Sequence, residues 1–256
     1  MRYLLLPLLL AVSCLGQSGL RSPAFVANLK PAAASGAWTP ANISGIVQFN
    51  YGDAATGAPG AAISTWEATV GNNFTGATGA TRPTLETNLV AGKAIKVIRF
   101  DGTDDYLTNK FASTIPSLPF TVFLNVESRT NGVIQRPFDS ATLETPRTLL
   151  YWNSTDQMQL YAGSGFQSVQ DFTKGWKEIV IIFDGASSRV QTNGSAWTVV
   201  GASPGSDIWT GVTLAVAQDI GSNFTPINLE SFGVIANTNL SSWHTSLTNW
   251  MHGRLY

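Results

Sequence analysis

Short stretches in which apolar and polar positions alternate recur along most of this chain. In residues 94–100, Ile95 and Val97 fall on one face of an extended segment and Ile98 falls on the other. A period of two is that of a β-strand. Similar stretches lie at residues 46–51, 120–126, 132–138, 148–152, 158–162, 176–183, 188–192, 197–200, 212–217 and 229–236. Many short strands at this spacing predict an all-β sandwich.

One segment near the end of the chain has a helical period instead. Its apolar residues recur every three or four positions, at Leu240, Trp243, Leu247 and Trp250. We expect a short amphipathic helix with Asn239 or Ser241 as its N-cap, because such side chains accept hydrogen bonds from the first N–H groups. The apolar stripe is expected to pack on the sandwich.

An acidic segment, residues 101–105, follows the stretch at 94–100. Gly102 can take a positive φ, so we expect a tight turn that forms a hairpin with a second strand from Tyr106 onward. The carboxylates of Asp101, Asp104 and Asp105 could bind calcium, which takes oxygen ligands. Alternatively they accept hydrogen bonds from the amides of the turn. We expect the second arrangement and no cofactor, with calcium as the alternative.

Residues 100–107, Phe-Asp-Gly-Thr-Asp-Asp-Tyr-Leu, resemble the signature turn of the laminin G-like, concanavalin A-like jelly-roll domains. These domains occur in bacterial surface proteins and phage virion proteins. The segments at 38–46, 63–66, 82–85 and 240–256 also resemble parts of that family. The resemblance implies a jelly-roll sandwich of two antiparallel sheets with a short C-terminal helix, spanning residues 38–256. It does not imply one function, because this fold hosts lectins, glycosidases and structural modules.

Residues 1–37 form a separate segment in this prediction. A single basic residue, Arg2, precedes an apolar run at 4–12, and Cys14 follows it. This pattern is typical of a signal or lipoprotein peptide, and the run is too short to span a bilayer. The alternative is a retained arm that packs on the domain or joins copies into a homo-oligomer. Both interpretations stay open.

Charge and motif content exclude several functions. Charged residues make up 12% of the chain and the net charge is −1, which argues against nucleic-acid binding. Glycosidases of this fold pair two acids on one strand face, and no Glu here is followed by an acid two positions later. The segment at 201–205 matches a nucleophile elbow in form only, because Pro204 lacks the N–H that the oxyanion hole needs. We therefore predict that the protein is not an enzyme.

Aromatic side chains near strand ends are the candidate ligand contacts. Their rings could stack on sugar faces, although most aromatic residues of a sandwich are expected in its core. The candidates are Trp152, Tyr161, Trp197 and Trp209, with Phe166 nearby.

The sequence thus favours a non-enzymatic binding or structural module of the virion. We expect a phage decoration or fibre-associated protein that contacts surface glycans or other virion proteins. The alternative is a secreted or lipid-anchored bacterial carbohydrate-binding protein at the cell surface. A glycoside hydrolase with an unrecognised site is the third hypothesis.

Overall fold

Two antiparallel sheets, packed face to face, form the described part of this chain. The computed structural model describes residues 37–76, 79, 81–115, 118–140, 147–207, 209–215, 224–236 and 242–256, without the side chains of 113–115. Contacts group Trp38–Tyr256 into one compact unit. The predicted N-terminal arm, apart from residue 37, lies outside the described residues, as do the predicted caps Asn239 and Ser241.

Each sheet contains eight strands within the described ranges. Sheet A comprises β1 (Ile46–Tyr51), β4 (Thr84–Val90), β5 (Lys93–Arg99), β7 (Phe120–Ser128), β12 (Gly175–Phe183), β13 (Arg189–Thr192), β14 (Thr198–Val199) and β16 (Ile227–Ile235). Sheet B comprises β2 (Thr65–Trp66), β3 (Phe74–Gly76), β6 (Leu107–Ile115), β8 (Gln135–Ser140), β9 (Thr148–Trp152), β10 (Gln157–Ala162), β11 (Gln167–Asp171) and β15 (Trp209–Leu214).

The strand order determines which side chains share each outer face. Sheet A runs β14-β13-β12-β7-β16-β5-β4, and β1 pairs with the second half of β16. Sheet B runs β11-β10-β9-β8-β15-β6-β3-β2. The predicted all-β sandwich of two antiparallel sheets with a C-terminal helix is therefore confirmed.

Aromatic rings fill much of the space between the sheets. The ring centroid of Trp209, in sheet B, lies 5.3 Å from that of Phe138 in the same sheet. It lies 6.4 Å from the ring centroid of Phe232 in sheet A. On β7, Val122, Leu124 and other alternate residues point into this core. The intervening Phe123 points to the opposite face of sheet A, toward the helix. Central strands of sheet A are thus buried on both sides.

The single described α-helix, α1 (His244–Leu255), covers the outer face of sheet A. Its buried side chains are Leu247, Met251 and Leu255, and Trp243 immediately before it is also buried. The predicted stripe is confirmed at Trp243, Leu247 and Trp250, which all pack on this face. Trp250 lies half-buried at the flank, and Met251, which was not predicted, takes the central place. Leu240 lies outside the described residues. No described helix is long and apolar enough to cross a membrane.

The acidic segment does not close a hairpin, so that prediction is wrong. β5 pairs with β4 and β16 in sheet A, whereas β6 pairs with β15 and β3 in sheet B. Residues 101–105 therefore carry the chain from one sheet to the other. The hairpin that β5 does form is with β4, through Ala91 and Gly92 at φ values of 49° and 83°. Two central residues at positive φ are typical of a tight β-hairpin turn.

Candidate functional site

The acidic turn is held together by its own backbone amides. Asp105 Oδ2 accepts a hydrogen bond of 2.8 Å from the Asp101 N–H, and Asp101 Oδ1 accepts one of 2.6 Å from the Thr103 N–H. Gly102 has a φ of 87°, and a Cβ at this position would lie 2.8 Å from the Pro226 ring. The turn therefore needs glycine both for its backbone conformation and for its close approach to Pro226.

The same turn gathers the three predicted calcium ligands. One carboxylate oxygen from each of Asp101, Asp104 and Asp105 lies within 4.8 Å of the others. Burial raises the pKa of Asp105 to about 6, and the charges of Asp101 and Asp104 contribute to the rise. The donor set fits a hard cation, which prefers carboxylate oxygen. The amide hydrogen bonds described above fit the alternative, a turn stabilised without a cation.

Two of the four predicted sugar contacts are core residues, so they are corrected here. Trp152 and Trp209 are 1% and 0% exposed. Trp152 stacks on Phe172 with 3.9 Å between ring centroids, and Trp209 lies among the rings between the sheets. Large aromatic residues supply much of the buried area in a sandwich, which explains why both indoles face inward.

Trp197 is half-buried, and it lies on the helix side of the molecule. Its ring centroid is 5.3 Å from that of His244, and the Arg189 guanidinium lies 5.4 Å from it. Trp197 also packs against the cluster of residues under the helix. Tyr161 is not part of that cluster, so the two aromatic residues do not form one site.

Tyr161 belongs to a group of aromatic side chains on the outer face of sheet B. The ring of Phe166 lies 5.0 Å from the ring of Tyr161 and 5.0 Å from that of Tyr151. Phe166 is 44% exposed. Next to the two tyrosines, Gln159 donates a 2.9 Å hydrogen bond to Ser168. We call Tyr151, Tyr161 and Phe166 the aromatic cluster.

An irregularity in β8 adds an arginine to the aromatic cluster. Between Gln135 and Phe138 the pairing of β8 with β9 shifts register, so three steps on β8 match two on β9. In a regular strand Arg136 would lie on the same face as Phe138, two positions later. The bulge turns the Arg136 side chain to the opposite face. The Arg136 guanidinium accordingly lies 5.5 Å from the ring centroid of Tyr151, within the range of a cation–π contact.

An ion pair occupies the middle of the same face. The Asp139 carboxylate is buried, and Arg147 binds it through Nε at 3.0 Å and through a terminal nitrogen at 2.6 Å. Two parallel hydrogen bonds of this kind fix the guanidinium in the plane of the carboxylate. Asp139 is the cross-strand neighbour of Thr213, whose hydroxyl lies 3.3 Å from that of Thr108.

A groove of about 510 Å³ lies at the other end of this face, beside β3 and β6. Its walls are mostly hydroxyl and amide groups, with one phenol ring and one ammonium group. The lining residues are Asn72, Asn73, Thr75, Tyr106, Thr108, Asn109 and Lys110. Tyr106 enters the groove because it directly follows the acidic turn that delivers the chain to sheet B.

Comparison with known proteins identifies the fold. No family model matches the sequence, and no curated protein matches it either. Solved structures do resemble it. The receptor-binding domain of botulinum neurotoxin D aligns with a TM-score of 0.57 at 10% identity, over 82% of this chain and 53% of that one. The Trypanosoma rangeli sialidase in complex with the inhibitor DANA aligns with a TM-score of 0.53 at 9% identity, over 78% and 32%.

The shared feature is the β-sandwich fold. The sialidase in complex with sialic acid gives a similar result, a TM-score of 0.52 at 10% identity over 78% of this chain. This chain spans about a third of the length of the sialidases and about half of the toxin domain. At such low identities, the likeness extends to architecture and not to individual residues.

The prediction that the protein is not an enzyme is corrected by these neighbours. It depended on the missing pair of acids that one class of glycosidase uses. Sialidases are among the proteins with which the chain shares its fold. A fold does not separate binding modules from enzymes, so the lack of that one motif is no argument against catalysis.

Sequence reasoning missed most of the open face of sheet B. Tyr161 and Phe166 were found by their place near strand ends, but Tyr151, Arg136 and the groove residues were not. The available signal was the alternation along β10. Gln159 and Tyr161 of this strand are half-buried between buried neighbours. No sequence pattern indicated Arg136, because its orientation depends on the register shift in β8.

Proposed function

We propose that this protein is a glycan-binding jelly-roll module that holds a saccharide against the aromatic cluster of sheet B. The observation that carries this proposal is the half-exposed aromatic cluster on an outer sheet face, with Arg136 and the polar pair Gln159 and Ser168 beside it. The apolar faces of sugar rings stack on aromatic rings, while neighbouring polar groups bond to sugar hydroxyls.

The structural neighbours support this assignment at the level of the fold. They include a sialidase in complex with sialic acid and a receptor-binding domain. Within the proposal, the chain is a laminin G-like domain, and its place is a phage virion, as a decoration or fibre-associated protein. The resemblance of residues 100–107 supports this choice. The second candidate is a secreted or lipid-anchored carbohydrate-binding protein of a bacterial surface, supported by the apolar run before Cys14.

A glycan array that includes sialosides tests the proposal. We expect the purified chain to bind a subset of glycans, and Tyr161→Ala and Phe166→Ala to lower the apparent affinity at least about tenfold, equivalent to ~1.4 kcal/mol. Tyr256→Ala is the matched control, because Tyr256 is an exposed tyrosine that directly follows the terminal helix. Array binding that survives both cluster variants would refute the assigned surface.

The same samples address catalysis. Release of free sugar from the bound glycans, followed over hours by mass spectrometry, would show that the module also acts on its ligand. Intact glycans would show that it binds without cleaving them. Mass spectrometry of the native protein distinguishes the two locations, since a start at or near Cys14 would mean export and a retained Met1 would support the virion.

A further inference from the structure

We infer that a groove at one end of the sandwich, beside the acidic turn, binds a segment of a partner protein in which a lysine or arginine lies next to an aliphatic residue. We call it the end groove. It shares no residue with the aromatic cluster, so the inference goes beyond the proposed function. It gives the molecule a second binding surface, for a protein instead of a glycan.

Four connections between strands meet at the end groove. They are the acidic turn after β5, the loop from β7 to β8, the loop from β9 to β10, and residues 224–226 before β16. The end of β7 and the start of β16 lie together here, because Ser128 pairs with Ile227. The groove has a volume of about 530 Å³, within the range of roughly 300–1,000 Å³ that binding pockets show.

The walls of the end groove carry exposed apolar side chains. Val133 and Ile134 are 43% and 38% exposed, and the half-buried Phe224 and Pro226 line the groove with them. Among the described residues, no other two exposed large apolar side chains are adjacent in the chain. Apolar side chains that are exposed together within a polar rim are typical of a surface that binds another protein.

Carboxylates lie next to two parts of the groove wall. The first part is Gly102, which belongs to the same turn as Asp101 and Asp104. The second part is Gly132, whose N–H donates a 2.8 Å hydrogen bond to Asp156 Oδ1. Within the described ranges, none of these three carboxylates forms an ion pair. The groove therefore combines an apolar wall with negative charge beside it.

The one arginine that interacts with this charge does not pair with it. Arg129 experiences the charge of Asp101, but its terminal nitrogen donates a 3.0 Å hydrogen bond to the carbonyl oxygen of Phe100. One guanidinium also carries a single positive charge, against the three carboxylates of Asp101, Asp104 and Asp156. Negative charge therefore remains for a cation from outside the chain.

The apolar wall and the carboxylates together select the kind of partner. A metal ion alone would leave Val133 and Ile134 exposed, and an acidic saccharide or a nucleic acid would be repelled by the carboxylates. A lysine or arginine can lay its aliphatic stem on an apolar wall while its charged end faces the carboxylates. An aliphatic neighbour in the same segment would cover the rest of the wall.

Selection from a random heptapeptide phage library on the purified full chain, in a buffer that contains EDTA, tests this inference. We expect the selected peptides to be enriched in lysine or arginine next to leucine, isoleucine or valine. Synthetic copies of these peptides are then titrated by fluorescence anisotropy. Val133→Ser combined with Ile134→Ser should weaken binding at least about tenfold, because it removes the apolar contacts. Asp104→Asn should weaken it about threefold and reduce its dependence on salt.

Matched controls exist for both kinds of variant. Val199→Ser changes another exposed valine, on β14. Asp184→Asn changes another half-buried aspartate. It follows Phe183, which pairs with Phe120 at the end of β7 away from the groove. Both controls should keep the affinity of the original chain, and thermal unfolding checks that every variant is folded.

The other occupants of the end groove are distinguished by the same samples. Peptide binding that Val133→Ser combined with Ile134→Ser leaves unchanged would overturn the inference, as would selected peptides without basic residues. Peptide binding that needs added calcium would mean that the carboxylates hold a metal ion, which also overturns it. A dimer that this double variant dissociates in size-exclusion chromatography would make the groove an interface between copies, again against the inference.

The glycan array separates this inference from the proposed function. The groove variants should bind the same glycans as the original chain, because the aromatic cluster is unchanged. Loss of peptide binding alone in these variants therefore supports the end groove, whatever the array shows for Tyr161→Ala. Loss of glycan binding in the groove variants would instead make the groove part of the glycan surface and would overturn the inference.

Discussion

The outer faces of the two sheets differ in what covers them. Sheet A is covered by α1, and every position of β16 beneath it is buried. On β10 of sheet B, buried and half-buried or exposed positions alternate, whereas β8, β9 and β15 in the middle of that sheet are buried at most positions. An antiparallel sheet with one face packed and one solvated shows such alternation, whereas strands covered on both sides read as continuous apolar runs. The burial pattern of a strand therefore shows whether one face or both faces of its sheet are covered at that strand.

Ionic contacts follow the same division. Under α1, the carboxylate of Glu230 is fully buried and bonds to Arg254 at 2.6 Å, while Arg254 also reaches Asp53 at 2.7 Å. Burial raises the pKa of Glu230, and the charge of Arg254 opposes that rise. Asn125 bonds to both Glu230 and the helix, through the Met251 carbonyl. Polar groups under α1 thus fasten the helix, whereas Gln159 and Ser168 beside the aromatic cluster remain near solvent.

Removing α1 should have the largest effect. A chain that ends at Ala236 exposes Phe123, Val180 and the rest of the apolar patch that the helix covers. We expect it to aggregate, because a large exposed apolar patch favours association. Size-exclusion chromatography and circular dichroism measure this, with a chain lacking only Tyr256 as the control. A monomer that melts like the full chain would mean that the helix is not structural.

Arg254→Ala should destabilise the fold by about 3–5 kcal/mol, because it leaves the Glu230 carboxylate buried without its cation. Denaturant unfolding at pH 8 measures the loss, and Arg99→Ala, at an exposed position of sheet A, is the control. The raised pKa of Glu230 implies that the loss is smaller at pH 4, where the carboxyl is protonated. An equal loss at both pH values would contradict an electrostatic cause.

Gly102→Val tests the connection between the sheets. The substituted side chain would meet Pro226 and would be held at a positive φ, so we expect a loss of roughly 1–3 kcal/mol. Gly132→Val is the matched control, since Gly132 also has a positive φ but a Cβ added there would meet no atom within 4 Å. Equal melting temperatures for the two variants would show that the contact with Pro226 is unimportant.

Asp105 should give a smaller, pH-dependent effect. Its pKa is raised from 3.8 to about 6, so the folded state holds the proton more tightly than the unfolded state. The resulting stability is complete below the lower value and is lost as the pH rises through about 6. The free energy of unfolding of Asp105→Asn, compared with that of the original chain, should therefore be more favourable at pH 7 than at pH 4. Denaturant unfolding at both pH values measures this.

Bound calcium would change the stability of the acidic turn and the effect of Asp105→Asn. We expect EDTA to leave the melting temperature unchanged, because the turn amides already bind the carboxylates of Asp101 and Asp105. A rise of several degrees with added calcium, absent in Asp105→Asn, would instead show a cation site at the turn.

Tyr161→Ala should have the smallest effect on stability, about 1 kcal/mol or less, because its ring contacts lie on the open face. Thermal unfolding measures it beside the glycan titration. Loss of binding with an almost unchanged melting temperature is the expected combination. A large drop in melting temperature would place Tyr161 among the structural residues and would erase the difference between the two faces.

Local pattern was enough to find most strands. Residues 46–51 were predicted as a strand and form β1 with the same bounds, and residues 148–152 do the same as β9. Alternation depends only on neighbouring positions, so it can be recognised in the sequence. The strands β2, β3, β4 and β11 were missed. β2 and β3 contain too few residues to show a period, and β4 and β11 contain too few apolar residues.

Partner strands and side-chain orientation were beyond that pattern. The acidic turn was predicted to close a hairpin, but β5 and β6 belong to different sheets. The turn residues themselves allow either outcome. The choice depends on distant strands, since β16 takes its place beside β5 only after more than a hundred intervening residues. Non-local pairing of this kind leaves no trace in the residues of the turn.

The sequence by itself therefore determined the fold class, the positions of most strands and the amphipathic helix, because these follow from local periodicity and turn chemistry. Tertiary structure alone decided that Trp152 and Trp209 are core residues. It also decided that Arg136 lies over Tyr151, through the bulge in β8. An indole near a strand end can face either side of a sheet, and only the register of its neighbours selects one.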